Sequence, residues 1–342
     1  MTETLAEIAR AMVQEGQGIL AADESTGTIQ KRFDQIGVEN TEENRRAYRE
    51  MLFTADEAMR SYVSGVILFE ETLFQSTADG RRFVDVIRAA DAVPGIKVDK
   101  GAKDLAAFPG EKVTEGLDGL RERLKKYHEA GARFAKWRAV IDIADGLPTL
   151  GAIRANAHAL GRYAALCQEN GIVPIVEPEV LMDGPNATHT IERCHEVTEL
   201  TLNVVFDELY AQRVDLPGMV LKPNMVVPGQ KGPQVDAETV AEMTVRCLKA
   251  TVPPAVPGIA FLSGGQSDEA ATEHLAIMNK IGGLPWVLTF SYGRALQQAA
   301  LKAWSGREEN VATAQAAFTH RARMNGRAAV GAWTPEDERE AA

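Results

Sequence analysis

Short, nearly continuous apolar runs alternate with longer stretches in which apolar residues recur every three or four positions. The runs are "GILAAD" from Gly18, "GVILFEE" from Gly65, "GIKVDK" from Gly95 and "FAKWRAVI" from Phe134, followed by "IVPIVEPEV" from Ile172, "MVLKPN" from Met219, "GIAFLSGG" from Gly258 and "WVLTFSYG" from Trp286. Each is too apolar for a sheet with one face in water; such runs suit parallel strands covered on both faces. The spacers carry helical signals. Asn40 and Thr41 precede Glu42 and Glu43 and open a periodic stretch that continues through Tyr62. "LDGLRERLKKYHEAGA" and "LGAIRANAHALGRYAALCQENG" reach Gly131 and Gly171, glycines that suit helix C-termini. The stretches 190–213 and 237–251 are amphipathic, and "MTETLAEIARAMVQ" reads as a short leading helix.

Eight strands alternating with helices predict an α/β fold of the (β/α)8 barrel type, usually about 250 residues long. The extra length is assigned to added N- and C-terminal helices and a short tail from about residue 332. With no repeat and no linker, the expectation is a single domain over 1–342. A doubly wound open sheet is the competitor, but no GxGxxG follows the first strand.

Composition narrows the chemistry. The formal net charge of −11 and the absence of a basic stripe argue against nucleic acid as a partner. Cys167, Cys194 and Cys247 are far apart and form no CxxC pair, which suits a reducing compartment. With no leader pattern and no apolar stretch of membrane-spanning length, the expectation is a cytoplasmic protein without membrane contact.

In a barrel the site forms at the C-terminal strand ends. Read in order, those ends carry Asp23; Lys97, Asp99 and Lys100; Lys136 and Arg138; Glu177 and Glu179; Lys222; Ser263, Gly264 and Gly265; and Ser291, Gly293 and Arg294. Residues two apart on a strand share a face, so Lys136 joins Arg138 and Glu177 joins Glu179. Any one of these charges is more often salt-bridged or solvated than catalytic. Lys222 stands out because apolar Met219, Val220 and Leu221 precede it and Pro223 closes the run. "FLSGGQS" and "SYGR" follow the seventh and eighth strands, where this fold commonly binds phosphate. Backbone N–H groups and Arg294 would hold the oxyanions. His128, His158, His189, His195, His274 and His320 all fall outside these strand ends, which leaves a histidine-based metal site without support.

A lysine in a partly desolvated site beside other cations is expected to titrate below its usual range, and its free amine attacks a ketone to give an iminium. Glu177 and Glu179 could move the protons. Metal-free aldol cleavage of a sugar phosphate accommodates all of these groups.

The chain resembles class I fructose-1,6-bisphosphate aldolase in "GILAADESTGTIQKR", "TEENRRAYR", "GVILFEETL", "GIKVDKG", "FAKWR", "NGIVPIVEPE", "LKPNMV", "TVPPAV", "FLSGGQS" and "LTFSYGRALQ", in family order from about Gly18 to Trp304. The resemblance implies reversible cleavage of fructose 1,6-bisphosphate to dihydroxyacetone phosphate and glyceraldehyde 3-phosphate, in glycolysis and gluconeogenesis, with no cofactor. It implies that Lys222 forms the Schiff base and that Glu177, with Glu179 beside it, is the main proton donor and acceptor. Lys136 would assist the carbinolamine steps and Asp23 would help remove the C4 hydroxyl proton. Ser263, Gly264, Gly265, Ser291, Gly293 and Arg294 would hold the first phosphate. Ser25, Arg32 and Lys97 would contact the other end of the sugar, with Arg138 also at the substrate, and Thr28 stands where the family often has serine. The resemblance further implies a homotetramer.

One departure concerns the tyrosine that ends vertebrate-type members: this chain reads "TPEDEREAA" there and its last tyrosine is Tyr292, so slower enamine protonation is expected. The competing readings are another Schiff-base barrel, such as a transaldolase or a deoxyribose-phosphate aldolase, and a binding scaffold on an inactive aldolase fold. A scaffold would be marked by loss of Lys222, Glu177 or Arg294, and all three are present.

Overall fold

The protein is seen here as a computed structural model that describes residues 3–184 and 186–339. Eight parallel strands close into a barrel: β1 Gly18–Ala22, β2 Val63–Leu68, β3 Val93–Lys97, β4 Phe134–Ile141, β5 Val173–Val180, β6 Val220–Leu221, β7 Gly258–Phe261 and β8 Val287–Tyr292. Each pairs with its neighbours in chain order, and β8 returns to β1 through Ile19 opposite Ser291. This is the α/β barrel that the run pattern predicts.

Two apolar clusters explain why the strands read as continuous runs. Ile19, Ala21, Ile67, Phe134, Val173, Ile175, Val220 and Ala260 fill the barrel interior. Their alternates, among them Leu20, Leu68, Ile96, Ala135, Val176, Leu221, Phe261 and Phe290, pack against the helices. With both faces buried, neither can be polar. Gly95 leaves the space for Phe134: a methyl group there would lie 2.3 Å from its ring. The leading helix Leu5–Ala11 adds Ile8 and Ala9, and Met12 follows, to close the bottom of the interior cluster. Thr4 and Glu7 form its capping box, satisfying N–H groups that the helix leaves unpaired.

Three details differ from the sequence pattern. The periodic stretch 42–62 is two helices, Glu42–Phe53 and Asp56–Tyr62. Thr54 ends the first by donating its hydroxyl to the Glu50 carbonyl at 2.7 Å, and two acidic residues open the second. A two-stranded antiparallel ribbon, Ala102–Asp104 with Lys112–Thr114, sits outside the barrel after β3. Beyond the last helix, Val311–Ala329, the chain does not simply trail away. Trp333 is buried, and Glu338 reaches Arg321 at 2.6 Å and His320 at 3.2 Å. Residues 340–342 of the expected tail lie outside the described residues.

Candidate active site

The interior alternation that fills the barrel continues past its apolar layers to the C-terminal mouth. On β1 the inward series Ile19, Ala21 leads to Asp23. On β4, Phe134 leads to Lys136 and Arg138, and on β5, Val173 and Ile175 lead to Glu177 and Glu179. On β6, Val220 leads to Lys222. The core therefore aims these six charged side chains into one pocket of about 420 Å³. Lys97, Asp99, Glu24, Ser25, Thr28, Arg32, Ser263, Gly264, Ser291, Gly293 and Arg294 also line it.

At its centre the charges touch in series. Lys222 Nζ lies 3.0 Å from Glu177 Oε1, and Glu177 Oε2 lies 3.2 Å from Lys136 Nζ. Lys136 Nζ in turn lies 2.9 Å from Asp23 Oδ2. Lys222, Glu177 and Lys136 are buried to 4%, 3% and 5% exposure, which makes each charge dependent on its neighbours. Burial alone would raise the Asp23 carboxyl, but Lys136, Lys222 and Lys97 outweigh it and hold the group at about 2. Glu177 is likewise held below its usual range by Lys136, Lys222 and Arg138 against the effect of burial. Burial opposes the Lys136 charge, yet Asp23, Glu177 and Asp99 raise it above the ordinary lysine range. Both carboxylates are thus ionised at neutral pH.

Lys222 owes its place to the loop behind it. β6 is only two residues long, but the Lys222 N–H still donates to the Val176 carbonyl at 2.8 Å. Buried Asn224 accepts from the Val180 N–H at 3.0 Å and donates to Thr198 Oγ1 at 3.1 Å. The ends of β5 and β6 are thereby locked together.

The flank at β7 and β8 gathers groups whose chemistry suits an anion. Arg294 is a lining cation with no carboxylate within ion-pair distance among the described residues; it donates to the Gln266 carbonyl. The Ser291 hydroxyl is buried with no hydrogen-bond partner among the described residues. No side chain caps the helix Arg294–Trp304, which begins just after Gly293. A helix N-terminus without a side-chain cap, beside an arginine that has no carboxylate partner among the described residues and a hydroxyl without a hydrogen bond there, is chemically suited to an oxyanion. On the opposite flank Ser25 caps the helix Thr26–Asp34, bonding Thr28 N–H at 3.4 Å, and Lys97 pairs with Asp99 at 2.8 Å. Arg138 pairs with Glu179.

Two residues from the sequence reading fall outside the pocket wall. Lys100 is exposed and away from it. Gly265 turns its α-carbon to Met182 (φ +72°), so it shapes the loop without lining the cavity. Tyr292 also points outward, because β8 buries Leu288, Phe290 and Tyr292 against the helices while Ser291 faces in. The Tyr292 hydroxyl donates to the Ala271 carbonyl. Glu24 lines the pocket and was not anticipated: it follows Asp23 in a polar loop, and nothing in the local pattern shows that it is buried. None of the lining residues is a histidine, and no group of three or more His, Cys, Asp or Glu among the described residues is arranged to hold a metal ion.

Comparison with known proteins agrees with this geometry. The family model for fructose-bisphosphate aldolase class-I matches residues 4–342. A probable fructose-bisphosphate aldolase class 1 from Xanthomonas campestris is 59% identical over 97% of this chain and 98% of its own. The cytosolic fructose-bisphosphate aldolase 4 of Arabidopsis thaliana is 58% identical over 93% of this chain and 80% of its own. A solved structure of fructose-bisphosphate aldolase from Plasmodium falciparum superposes with a TM-score of 0.92 at 50% identity, covering 96% of this chain and 95% of that one. Fold and site define a (β/α)8-barrel carbon–carbon lyase. Within that class, the chain belongs to the class-I fructose-bisphosphate aldolase family.

Proposed function

We propose that this aldolase cleaves and forms fructose 1,6-bisphosphate through a Schiff base on Lys222, without a metal. The supporting observation is the buried series Lys222–Glu177–Lys136–Asp23, in contacts of 3.0, 3.2 and 2.9 Å. An amine that will become an iminium needs a group beside it that can give and take protons, and Glu177 bridges both lysines.

In this reading the Lys222 amine attacks the substrate C2 carbonyl. Glu177, ionised at rest, takes the proton that Lys222 gives up and delivers it to the carbinolamine hydroxyl, which leaves as water and gives the iminium. Lys136 stabilises the negative charge that develops nearby. Asp23 takes the C4 hydroxyl proton while the C3–C4 bond breaks and its electron pair moves into the iminium, forming an enamine. Glyceraldehyde 3-phosphate leaves. Protonation of the enamine and hydrolysis then release dihydroxyacetone phosphate and return the amine. Ser263, Gly264, Ser291, Gly293 and Arg294 hold the C1 phosphate, with Gly265 shaping their loop. Ser25, Arg32, Lys97 and Arg138 receive the other end of the sugar, and Glu179 keeps Arg138 in place.

Metal independence is supported by the donor set, since the pocket presents amines and guanidinium groups between its carboxylates. The family resemblance extends the proposal to a single-domain subunit of a cytoplasmic homotetramer in glycolysis and gluconeogenesis. Cleavage assays test the reading: activity should persist in excess chelator, and kcat/KM should favour fructose 1,6-bisphosphate over fructose 1-phosphate by about tenfold or more. Activity lost to the chelator and restored by a divalent ion would contradict it.

A further inference from the structure

Glu24 is held between two arginines. Its Oε1 lies 2.7 Å from Arg32 Nη1 and its Oε2 2.9 Å from Arg49 Nη2. The Glu24 and Arg49 side chains are only 4% and 2% exposed. Arg49 also donates to the Ala22 carbonyl at 3.0 Å and to the Glu24 carbonyl at 3.3 Å. Arg32 comes from the helix Thr26–Asp34 and Arg49 from Glu42–Phe53, so one carboxylate ties both helices to the end of β1. Next to it on β1, Gln297 donates to the Ala21 carbonyl at 2.7 Å and accepts from the Tyr48 hydroxyl at 3.0 Å.

The consequence for the pocket falls on Arg32. Its guanidinium lines the cavity, and its Nη2 would lie 3.4 Å from a methyl group built on Gly293. A long side chain with several rotamers open to it must be fixed before it can recognise a small anion efficiently. Burying an Arg–Glu–Arg group carries a desolvation cost that pairing roughly offsets, so stability is a weak reason for it. Presenting a rigid guanidinium fork at the wall of an anion pocket is a stronger reason.

We propose that Glu24 is a positioning residue: it fixes Arg32 in the orientation that receives a phosphate of the substrate, and Arg49 anchors Glu24 from behind. The inference rests on the proposed function, which makes Arg32 a substrate contact. Its test is steady-state kinetics of Glu24→Gln, Arg32→Met and the double variant, each normalised to the sites that borohydride traps with dihydroxyacetone phosphate. Each single substitution is expected to raise the KM for fructose 1,6-bisphosphate about tenfold with kcat changed less than about threefold. The double variant is expected to be no worse than Arg32→Met alone, because Glu24 acts through Arg32.

An unchanged KM in Glu24→Gln beside a raised KM in Arg32→Met would overturn the positioning role and leave the proposed function standing. Independent, additive effects would do the same. An unchanged KM in both singles would overturn the Arg32 contact as well, and an unmodified chain that cleaves no bisphosphate would overturn the proposed function itself. If Glu24→Gln does not fold, Arg49→Lys keeps the charge but loses the fork; it is expected to raise KM about threefold at constant kcat. An unchanged KM in that variant would overturn the proposal.

Discussion

In the proposed reading, Ser291 separates binding from folding at a single atom. Its hydroxyl is buried and makes no hydrogen bond to the described residues, so the fold gains nothing from it. Ser291→Ala is therefore expected to leave the unfolding free energy within about 0.5 kcal/mol of the parent or to raise it slightly, while KM for the bisphosphate increases severalfold. Urea unfolding and initial-rate kinetics on the same preparation measure both; a clear loss of stability with KM unchanged would count against a phosphate-binding role. Asp23 gives the opposite case. Its folded value of about 2 lies below the ordinary 3.8, so its stabilisation is complete above about pH 4 and is lost as the pH falls through 2. Asp23→Asn is expected to cost roughly 2 kcal/mol at pH 7, with the gap to the parent narrowing towards pH 3. Urea titrations at pH 7, 5 and 3 check the trend, and a gap independent of pH would contradict it. The strand-end position of both residues is legible in the sequence, because Asp23 and Ser291 continue inward-facing series. Their partners are not, since Lys136 is brought to Asp23 only when the barrel closes.

At the scale of elements, the loop after β7 shows how far a motif can be read. "SGG" marks a phosphate-type loop in the sequence, but its two glycines do different work. Gly264 lines the pocket, whereas Gly265 has φ +72° and a methyl group on it would lie 2.1 Å from Met182 Cγ. The backbone angle and the contact both come from the folded loop and leave no trace in spacing. Gly265→Ala is expected to cost about 1–3 kcal/mol and to raise KM with a smaller change in kcat, since the loop must move to relieve the contact. Thermal melts and kinetics test this; a variant of parental stability and parental KM would contradict it. The helical stretch 42–62 teaches the same lesson: apolar periodicity runs across Thr54 unbroken, and the bond from Thr54 to the Glu50 carbonyl divides it. The ribbon Ala102–Asp104 with Lys112–Thr114 is too short to show a strand pattern, and its first strand is exposed at all three residues.

In the whole molecule, barrel closure turns eight separate readings of strand ends into one ring. Six cationic and five carboxylate side chains line the pocket of a chain whose total charge is −11. The site's excess positive charge is thus local, and a concentrated field of this kind favours capture of an anionic sugar phosphate. The ring was legible because each strand exposes its charges at one end and the fold brings those ends together. Glu24 with Arg49 and Glu338 with Arg321 were not legible, because each pair joins elements whose separate patterns say nothing of each other. The central claim is that Lys222 is the covalent centre of this ring. Borohydride reduction in the presence of dihydroxyacetone phosphate and excess chelator, followed by peptide mass spectrometry, tests it most directly. A reduced three-carbon phosphate adduct confined to Lys222 is the predicted result; folded protein that carries no adduct, or carries it on another lysine, would contradict the account.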